Sequence, residues 1–148
     1  MPTQSTERTS TTEETRAAVT GLIDAFTRGD GERIVEYFDD DVDWLFVAPA
    51  SIFPFAGTRH GKTDVLKGLA ALYEGYRVAD YHVTTMIVEG DRASTLSEGH
   101  LVQRASGRII RVRTANFYRF RAGKVIEYRG YTDSLDIAEQ VLGRELDF

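Results

Sequence analysis

The succession of apolar patterns along the chain limits its possible folds more than any other feature. Apolar residues recur at helical spacing in three early segments, Val19–Phe26, Ile34–Phe38 and Val65–Tyr73. Four long extended stretches follow, separated by short breaks that contain glycine: residues 78–88, 93–104, 108–120 and 124–132. Because connections this short join neighbouring antiparallel strands, the pattern predicts a meander.

The segments around the meander complete the predicted architecture. Thr11 and Glu14 stand at the spacing of a capping box, which predicts that the first helix begins there. Residues 42–47 are predicted as a strand, and residues 48–59 as a loop because they contain two prolines and a glycine. A last helix is predicted over residues 134–142. Helices beside a long antiparallel sheet indicate an α+β fold, in which a cone-shaped, curved, mostly antiparallel sheet packs against the N-terminal helices.

Length and composition indicate one domain. The chain has 148 residues, and we expect residues 1–11 to be a mobile polar tail and residues 12–148 a single domain. The formal net charge of -5 argues against nucleic acid as a partner. The sequence has no cysteine, which excludes disulfides and sulfur metal ligands. No apolar run approaches the roughly 20 residues that span a bilayer, so we expect a cytoplasmic protein without a membrane partner.

Alternation assigns two faces to the stretch 108–120. From Ile110 to Phe120 its even-numbered side chains are apolar apart from Thr114 and Asn116, so this face should be the concave one. A buried amide needs a hydrogen-bond partner, which is either a neighbouring side chain or a bound ligand. The other face carries four arginines, interrupted by Ala115 and Phe117. The arginines are most simply explained by glutamates on the neighbouring strand, and the apolar interruption predicts a homodimer formed through the sheet.

Glu98 and His100 lie two residues apart on the stretch 93–104 and therefore share a face. A carboxylate beside a histidine holds its tautomer, so the pair suits proton transfer. On the concave face, His100 would move a proton and Glu98 would orient it; on the outer face, both would meet solvent or a subunit interface. The chain's three histidines are scattered, so we expect no metal and no other cofactor.

Aromatic residues are numerous in the predicted cone. An apolar loop such as the one with Phe53 and Phe55 is expected to cover something, and His60 should lie at the cavity rim. The expected ligand-binding residues are Trp44, Leu45, Phe53, Phe55, His60, Tyr73, Thr114, Tyr118 and Tyr128. Such a lining favours a small hydrophobic molecule with a ring. The sequence contains no P-loop and no nucleophile elbow, which argues against nucleotide chemistry and covalent serine catalysis.

Four short motifs occur in an order that resembles a known group of proteins. The motifs are Phe55–Lys62, Glu89–Arg92, Gly123–Arg129 and Tyr131–Asp133. Together they resemble the SnoaL-like group of the nuclear transport factor 2-like superfamily, which includes ketosteroid isomerases, limonene epoxide hydrolases and polyketide cyclases. The resemblance covers residues 12–142 and implies the cone fold, but it does not imply one reaction.

The resemblance does not carry over the catalytic carboxylates of these enzymes. The isomerase base falls at Leu45, and the isomerase's buried acid falls at Asn116, whose amide could still donate a hydrogen bond to a carbonyl oxygen. The epoxide hydrolase carboxylate that follows an arginine falls at Gly130. Asp133 is either a catalytic carboxylate at the end of the last strand or the cap of the last helix.

Two functions are therefore expected. In the first, the cone binds a small hydrophobic molecule and performs cofactor-free acid–base chemistry of the isomerase, cyclase or hydrolase type. His100 and Glu98 would transfer the proton, while Asn116 and Tyr118 would hold a polarised oxygen. In the second, the same cone only binds a ligand or only dimerises. A mostly apolar cavity without a titratable group would favour binding alone.

Overall fold

The structure, a computed structural model, describes residues 9–148. The predicted tail therefore lies mostly outside the described residues. Within the described part, Ser10 is buried, and its hydroxyl accepts a hydrogen bond from the backbone amide of Gly123 at 2.7 Å. The segment immediately before the first helix is thus packed against the turn between the last two strands.

Within residues 9–148, four helices and six strands form an α+β fold, as predicted. In chain order they are α1 (Thr12–Thr27), α2 (Gly31–Glu36), β1 (Phe38–Val47), β2 (Gly57–His60), α3 (Lys62–Gly75), β3 (Tyr76–Glu89), β4 (Arg92–Gln103), β5 (Ile109–Arg121), β6 (Lys124–Thr132) and α4 (Ser134–Leu142). β2 was not predicted from the sequence; it begins inside the predicted loop and ends one residue beyond it. The predicted β1 also started four residues late, because the acidic run Asp39–Asp41 looks like a solvated stop.

One six-stranded sheet carries the fold, in the order β2-β1-β6-β5-β4-β3. The four strands β3 to β6 form the predicted antiparallel meander, and β1 joins β6 in parallel and β2 in antiparallel pairing. The sheet is curved and unclosed, and the helices cover its concave face. The core lies in that hollow, where residues of α1, α2 and α3 pack against the sheet.

Local signals explain the helix ends. Thr11 and Glu14 form both hydrogen bonds of the predicted capping box, each 3.1 Å long. At the other end of the chain, Asp133 accepts a hydrogen bond from the backbone amide of Asp136 at 3.1 Å and so caps α4. Gly143 then ends α4 in a left-handed conformation that glycine adopts without strain.

Cross-strand pairing decides which side chains enter the hollow. The even-numbered residues of β5 from Ile110 to Phe120 are buried, which confirms the predicted concave face. Paired residues share a face, and Asn116 pairs with Thr95 on β4. The odd-numbered residues of β4 therefore point inward.

Among residues 9–148, no helix is both long enough and apolar enough to cross a bilayer.

Candidate functional site

An internal cavity of about 110 Å³ lies between the helices and the concave face of the sheet. Side chains from α1 to α4, from the loop before β2 and from five of the strands line it. Leu22, Phe26 and Leu69 form part of the helical side, and Trp44 and Val112 form part of the sheet side. Almost all of the wall is apolar, so the cavity favours an apolar occupant.

The volume limits the size of that occupant. An apolar cavity of roughly 150 Å³ takes up a benzene-sized molecule, whereas ordinary ligand pockets measure roughly 300–1,000 Å³. The cavity of about 110 Å³ therefore suits a compact molecule of about one ring. A larger ligand would require the wall to move.

A buried network of neutral polar groups interrupts the apolar wall on the sheet side. Asn116 is its centre: its Oδ1 accepts a hydrogen bond from the Tyr128 hydroxyl at 2.6 Å, and its Nδ2 donates to the hydroxyls of Thr95 and Thr114, each at 3.2 Å. The Thr114 hydroxyl is also 2.6 Å from the Tyr81 hydroxyl. The amide thus has the side-chain partners that its burial requires, and all members except Thr95 also line the cavity.

The titratable groups of this wall are tyrosines. Burial raises the pKa of Tyr118 and of Tyr128, and the neighbouring Tyr81 raises both further. Both phenols are therefore neutral at physiological pH, where they donate hydrogen bonds but cannot act as bases. Within residues 9–148, no aspartate, glutamate or histidine lines the cavity.

Gly130 makes room for the hydroxyl of Tyr128. Gly130 lies opposite Asn116 in the β5–β6 pair, and a Cβ atom at position 130 would overlap the Tyr128 hydroxyl and lie 2.9 Å from Cδ2 of Phe46. The phenol of Tyr128 thus occupies the space that a side chain at position 130 would need. This geometry explains in physical terms why a carboxylate at this position is incompatible with the observed network.

Seven of the predicted site residues meet in the cavity. They are Trp44, Phe53, Phe55, Thr114, Asn116, Tyr118 and Tyr128. The sequence reading missed Tyr81 and the helical wall. Tyr81 lies between two register shifts of β3, so the simple alternation of apolar and polar residues does not assign its face.

The prediction that Glu98 and His100 face the hollow is wrong. Both lie on the outer face of β4, where His100 Nδ1 is 3.0 Å from a carboxylate oxygen of Asp80. Glu98 is 3.6 Å from Nε2 of His82 and 3.7 Å from a guanidinium nitrogen of Arg111. The alternative, outward-facing interpretation holds, because Glu98 and His100 stand opposite Arg113 and Arg111 of the outer face of β5.

Three expected ligand contacts also lie outside the cavity. Leu45 follows Trp44 on β1 and points to the opposite face of the sheet. Tyr73 donates its hydroxyl hydrogen to the carbonyl of Phe26 at 2.9 Å and does not line the cavity. His60 is not a loop residue but the exposed end of β2, where its backbone amide donates to the Asp64 carboxylate.

Asp133, the candidate catalytic carboxylate, and Asp43 of β1 both have structural partners. Asp133 caps α4, as the alternative interpretation had it, and it does not line the cavity. Asp43 pairs with Arg129 at 2.9 Å on the outer side of β1 and β6. Neither carboxylate is therefore placed to accept a proton from a molecule in the cavity.

Arg59 holds the aromatic loop over the cavity. Its guanidinium donates to the Asp64 carboxylate at 3.1 Å and to the backbone carbonyl of Pro54 at 3.3 Å. Pro54 lies between Phe53 and Phe55, which both line the cavity. The arginine thus ties this loop to the start of α3 and keeps the two phenylalanines in the wall.

Comparison with known proteins gives consistent matches. The profile of the SnoaL-like domain matches residues 19–128. A candidate isomerase from Rhodopseudomonas palustris is similar in structure with a TM-score of 0.79 and 30% identity, over 88% of this chain and 97% of that one. No curated protein matches the sequence.

Two further solved structures share the fold at lower identity. An LEH-like epoxide hydrolase from M. tuberculosis has a TM-score of 0.71 and 16% identity, over 90% of this chain and 92% of that one. TerC, which was co-crystallised with polyporic acid, has a TM-score of 0.73 and 20% identity, over 87% of this chain and 98% of that one. At these identities the similarity concerns the fold.

Proposed function

The chain belongs to the SnoaL-like domain family, and we propose that it binds a small, neutral, largely apolar molecule in the cavity between its helices and its sheet. One observation carries the proposal. The wall of the cavity is apolar apart from hydroxyl and amide groups, and within the described residues it contains no carboxylate and no imidazole. Such a wall holds an organic molecule by apolar burial and hydrogen bonds.

The same observation argues against acid–base catalysis. A general base needs a pKa near the working pH and must reach the proton that it removes. The pKa values of Tyr118 and Tyr128 are raised by burial, which moves them away from that range. His100 and Glu98 lie on the other side of the sheet. Binding without proton transfer is therefore the function that this geometry favours.

The absence of charge also defines the ligand. Placing an ion in an apolar cavity costs much free energy unless an opposite charge is present. No lining residue of the described chain is acidic or basic, so a neutral molecule is favoured. TerC, which shares the fold, was co-crystallised with polyporic acid. We take this neighbour only as support for the expectation that the cavity of such a fold receives an organic molecule.

Toluene is a suitable probe because it is neutral and has one ring. A ligand at one hundred times its dissociation constant stabilises the native state by about 2.7 kcal/mol. For a chain of this size, we expect a rise of roughly 5–10 °C in the melting temperature at that concentration. Thermal unfolding followed by the fluorescence of Trp44, the single tryptophan and a lining residue, measures this rise.

Two matched variants show whether the probe enters the cavity. Val112 lines the cavity and Val102 lies on the outer face of β4, so Val112→Phe fills the cavity while Val102→Phe adds the same ring outside it. Toluene should raise the melting temperature of the wild type and of Val102→Phe, and it should not raise that of Val112→Phe. Equal stabilisation of all three proteins would place toluene elsewhere and would contradict the proposal.

We also propose that two copies of the chain associate through the outer face of the sheet. Six large apolar side chains are exposed there, and four of them expose more than half of their surface: Val47, Ile87, Leu96, Ile109, Phe117 and Tyr131. Arginines and glutamates surround them, for example Arg119 beside Glu127 in the pairing of β5 and β6. A face that carries both signs of charge can complement itself across a two-fold axis.

Sedimentation analysis tests this association. Phe117 is half exposed in the middle of the patch, and Leu135 is similarly exposed on α4, outside the sheet. We expect a dimeric wild type, a monomeric Phe117→Lys variant and a dimeric Leu135→Lys variant. A monomeric wild type at tens of micromolar protein would refute the association, and so would an equal effect of the two substitutions.

A further inference from the structure

Resting on the proposed binding function, we propose that the cavity selects a ligand that carries a hydrogen-bond acceptor, namely the carbonyl oxygen of a ketone, aldehyde or ester. The hydroxyls of Tyr81 and Thr114 hold this oxygen. The proposal derives from the number of hydrogens in the buried polar network and from the place where one of them is left without an acceptor.

The network contains more hydrogens than it uses. Its members are Tyr81, Thr95, Thr114, Asn116 and Tyr128, and four hydrogen bonds join them. The amide brings two hydrogens and each of the four hydroxyls brings one, which makes six. Four hydrogen bonds use four of them, so two hydrogens have no partner within the network. This surplus does not depend on which way the amide points.

Distances assign the orientation of the amide. A bond from a hydroxyl to an oxygen is typically about 2.7–2.8 Å long, and a bond from a nitrogen is typically about 2.9–3.0 Å. The contact between Asn116 and Tyr128 measures 2.6 Å, whereas the contacts with Thr95 and Thr114 measure 3.2 Å. The oxygen of Asn116 therefore faces Tyr128, and the amide nitrogen uses both of its hydrogens on the two threonines.

One surplus hydrogen then belongs to the pair of Tyr81 and Thr114. Their two hydroxyls share one hydrogen bond, so whichever of them donates, the hydrogen of the other is left over. Both residues line the cavity, so this hydrogen can reach a molecule inside it. The second belongs to Thr95, whose hydroxyl forms a hydrogen bond with that of Tyr118, so this hydrogen has a partner outside the network.

Ser97 adds a further donor to the same region. It is buried, it stands opposite Thr114 in the pairing of β4 and β5, and its hydroxyl has no partner in the described structure. A buried hydroxyl without a partner costs free energy. Ser97 does not itself line the cavity, so the hydrogen that a ligand can reach is the one left over by Tyr81 and Thr114.

A carbonyl oxygen matches this surplus better than other oxygen groups. It offers two lone pairs and brings no hydrogen of its own, whereas an alcohol adds one more hydrogen to a site that already has too many. A carboxylate would accept the hydrogens but would enter a wall that has no basic residue. The geometry therefore favours a neutral carbonyl compound of about one ring.

Cyclohexanone and methylenecyclohexane form a matched pair of probes, because they differ in the carbonyl oxygen while the ring is the same. Titration followed by Trp44 fluorescence gives the dissociation constant of each probe for the wild type and for the Tyr81→Phe/Thr114→Val double variant. The double variant should bind cyclohexanone about tenfold more weakly, the factor given by about 1.4 kcal/mol for one hydrogen bond. Its affinity for methylenecyclohexane should change less than threefold.

Tyr131→Phe provides the control, since it removes a phenol hydroxyl from the outer face of the sheet. It should leave both dissociation constants unchanged. The inference is overturned if the double variant loses affinity equally for both probes or keeps its affinity for cyclohexanone. If neither probe binds the wild type, the proposed binding function fails as well; if both bind and only the selective loss is missing, the binding function stands alone.

Infrared spectroscopy of the bound ketone keeps the test decisive if the double variant does not fold. A carbonyl that accepts hydrogen bonds absorbs at a lower wavenumber than the same carbonyl in a hydrocarbon solvent. Cyclohexanone bound to the wild type should therefore absorb below its position in hexane. An unshifted band would show an oxygen without a donor and would overturn the inference.

Discussion

Replacement of Gly130 by alanine tests how closely the polar network is fitted to the sheet. The added methyl group would overlap the hydroxyl oxygen of Tyr128 and would lie 2.8 Å from Cζ of the same ring. The ring cannot easily withdraw, because it is stacked on Trp44 with centroids 5.5 Å apart and packs against Tyr118 at 5.3 Å. We therefore expect the hydrogen bond between Tyr128 and Asn116 to break.

Two contributions set the size of the effect. Overpacking of a filled core costs about 1–3 kcal/mol, and a buried hydrogen-bonding group left without its partner costs about 1–3 kcal/mol. Gly130→Ala should therefore lower the free energy of unfolding by about 2–6 kcal/mol. Urea denaturation followed by Trp44 fluorescence measures this change. Gly75→Ala is the control, since a Cβ at Gly75 meets nothing within 4 Å. This substitution should lower the free energy of unfolding by less than about 0.5 kcal/mol, as is usual for an open surface site.

A double-mutant cycle identifies the cause. In Tyr128→Phe the overlapping hydroxyl is gone, so the added methyl group at position 130 should cost at least about 1 kcal/mol less than in the wild type. Additive effects of Gly130→Ala and Tyr128→Phe would refute the steric argument. A cost of Gly130→Ala below about 1 kcal/mol would refute it as well.

Four further outcomes are expected. Asp133→Ala should lower the free energy of unfolding by about 1 kcal/mol through loss of the α4 cap. Asp133→Asn should keep most of the stability that the cap contributes, as urea denaturation would show. Ser97→Ala should raise the free energy of unfolding by up to about 1 kcal/mol and should not lower it, because the buried hydroxyl has no hydrogen bond to lose. His100→Ala should leave toluene binding unchanged in the fluorescence titration, since His100 lies outside the cavity. Stability should fall as the pH rises above about 10, because tyrosines of the unfolded chain ionise there. The raised pKa of Tyr128 keeps this residue neutral in the folded state. Tyr128→Phe should therefore make the fall in stability shallower, as denaturation curves between about pH 8 and 11 would show.

The lining residues of the cavity could be predicted from the sequence where a single strand alternates clearly between apolar and polar residues. On β5 every even-numbered residue from Ile110 to Phe120 is apolar or can be satisfied by hydrogen bonds, and every one is buried. This alternation placed Thr114, Asn116 and Tyr118 in the cavity. On β4 the residues from Ser94 to His100 are small or polar apart from Leu96, which stands exposed on the outer face, so the sequence offered no basis for choosing the correct face. Only the pairing with β5 made the choice.

The sequence by itself determined the order of the elements, the antiparallel meander, the two helix caps and the concave face of β5. These features arise from local causes, namely capping side chains, glycine turns and the two-residue period of a strand. The tertiary structure alone decided the face of β4, the inward position of Tyr81 and the fit of Tyr128 over Gly130. These depend on register, in which a shift of one residue exchanges the two faces of a strand, and on contacts between residues far apart in the chain.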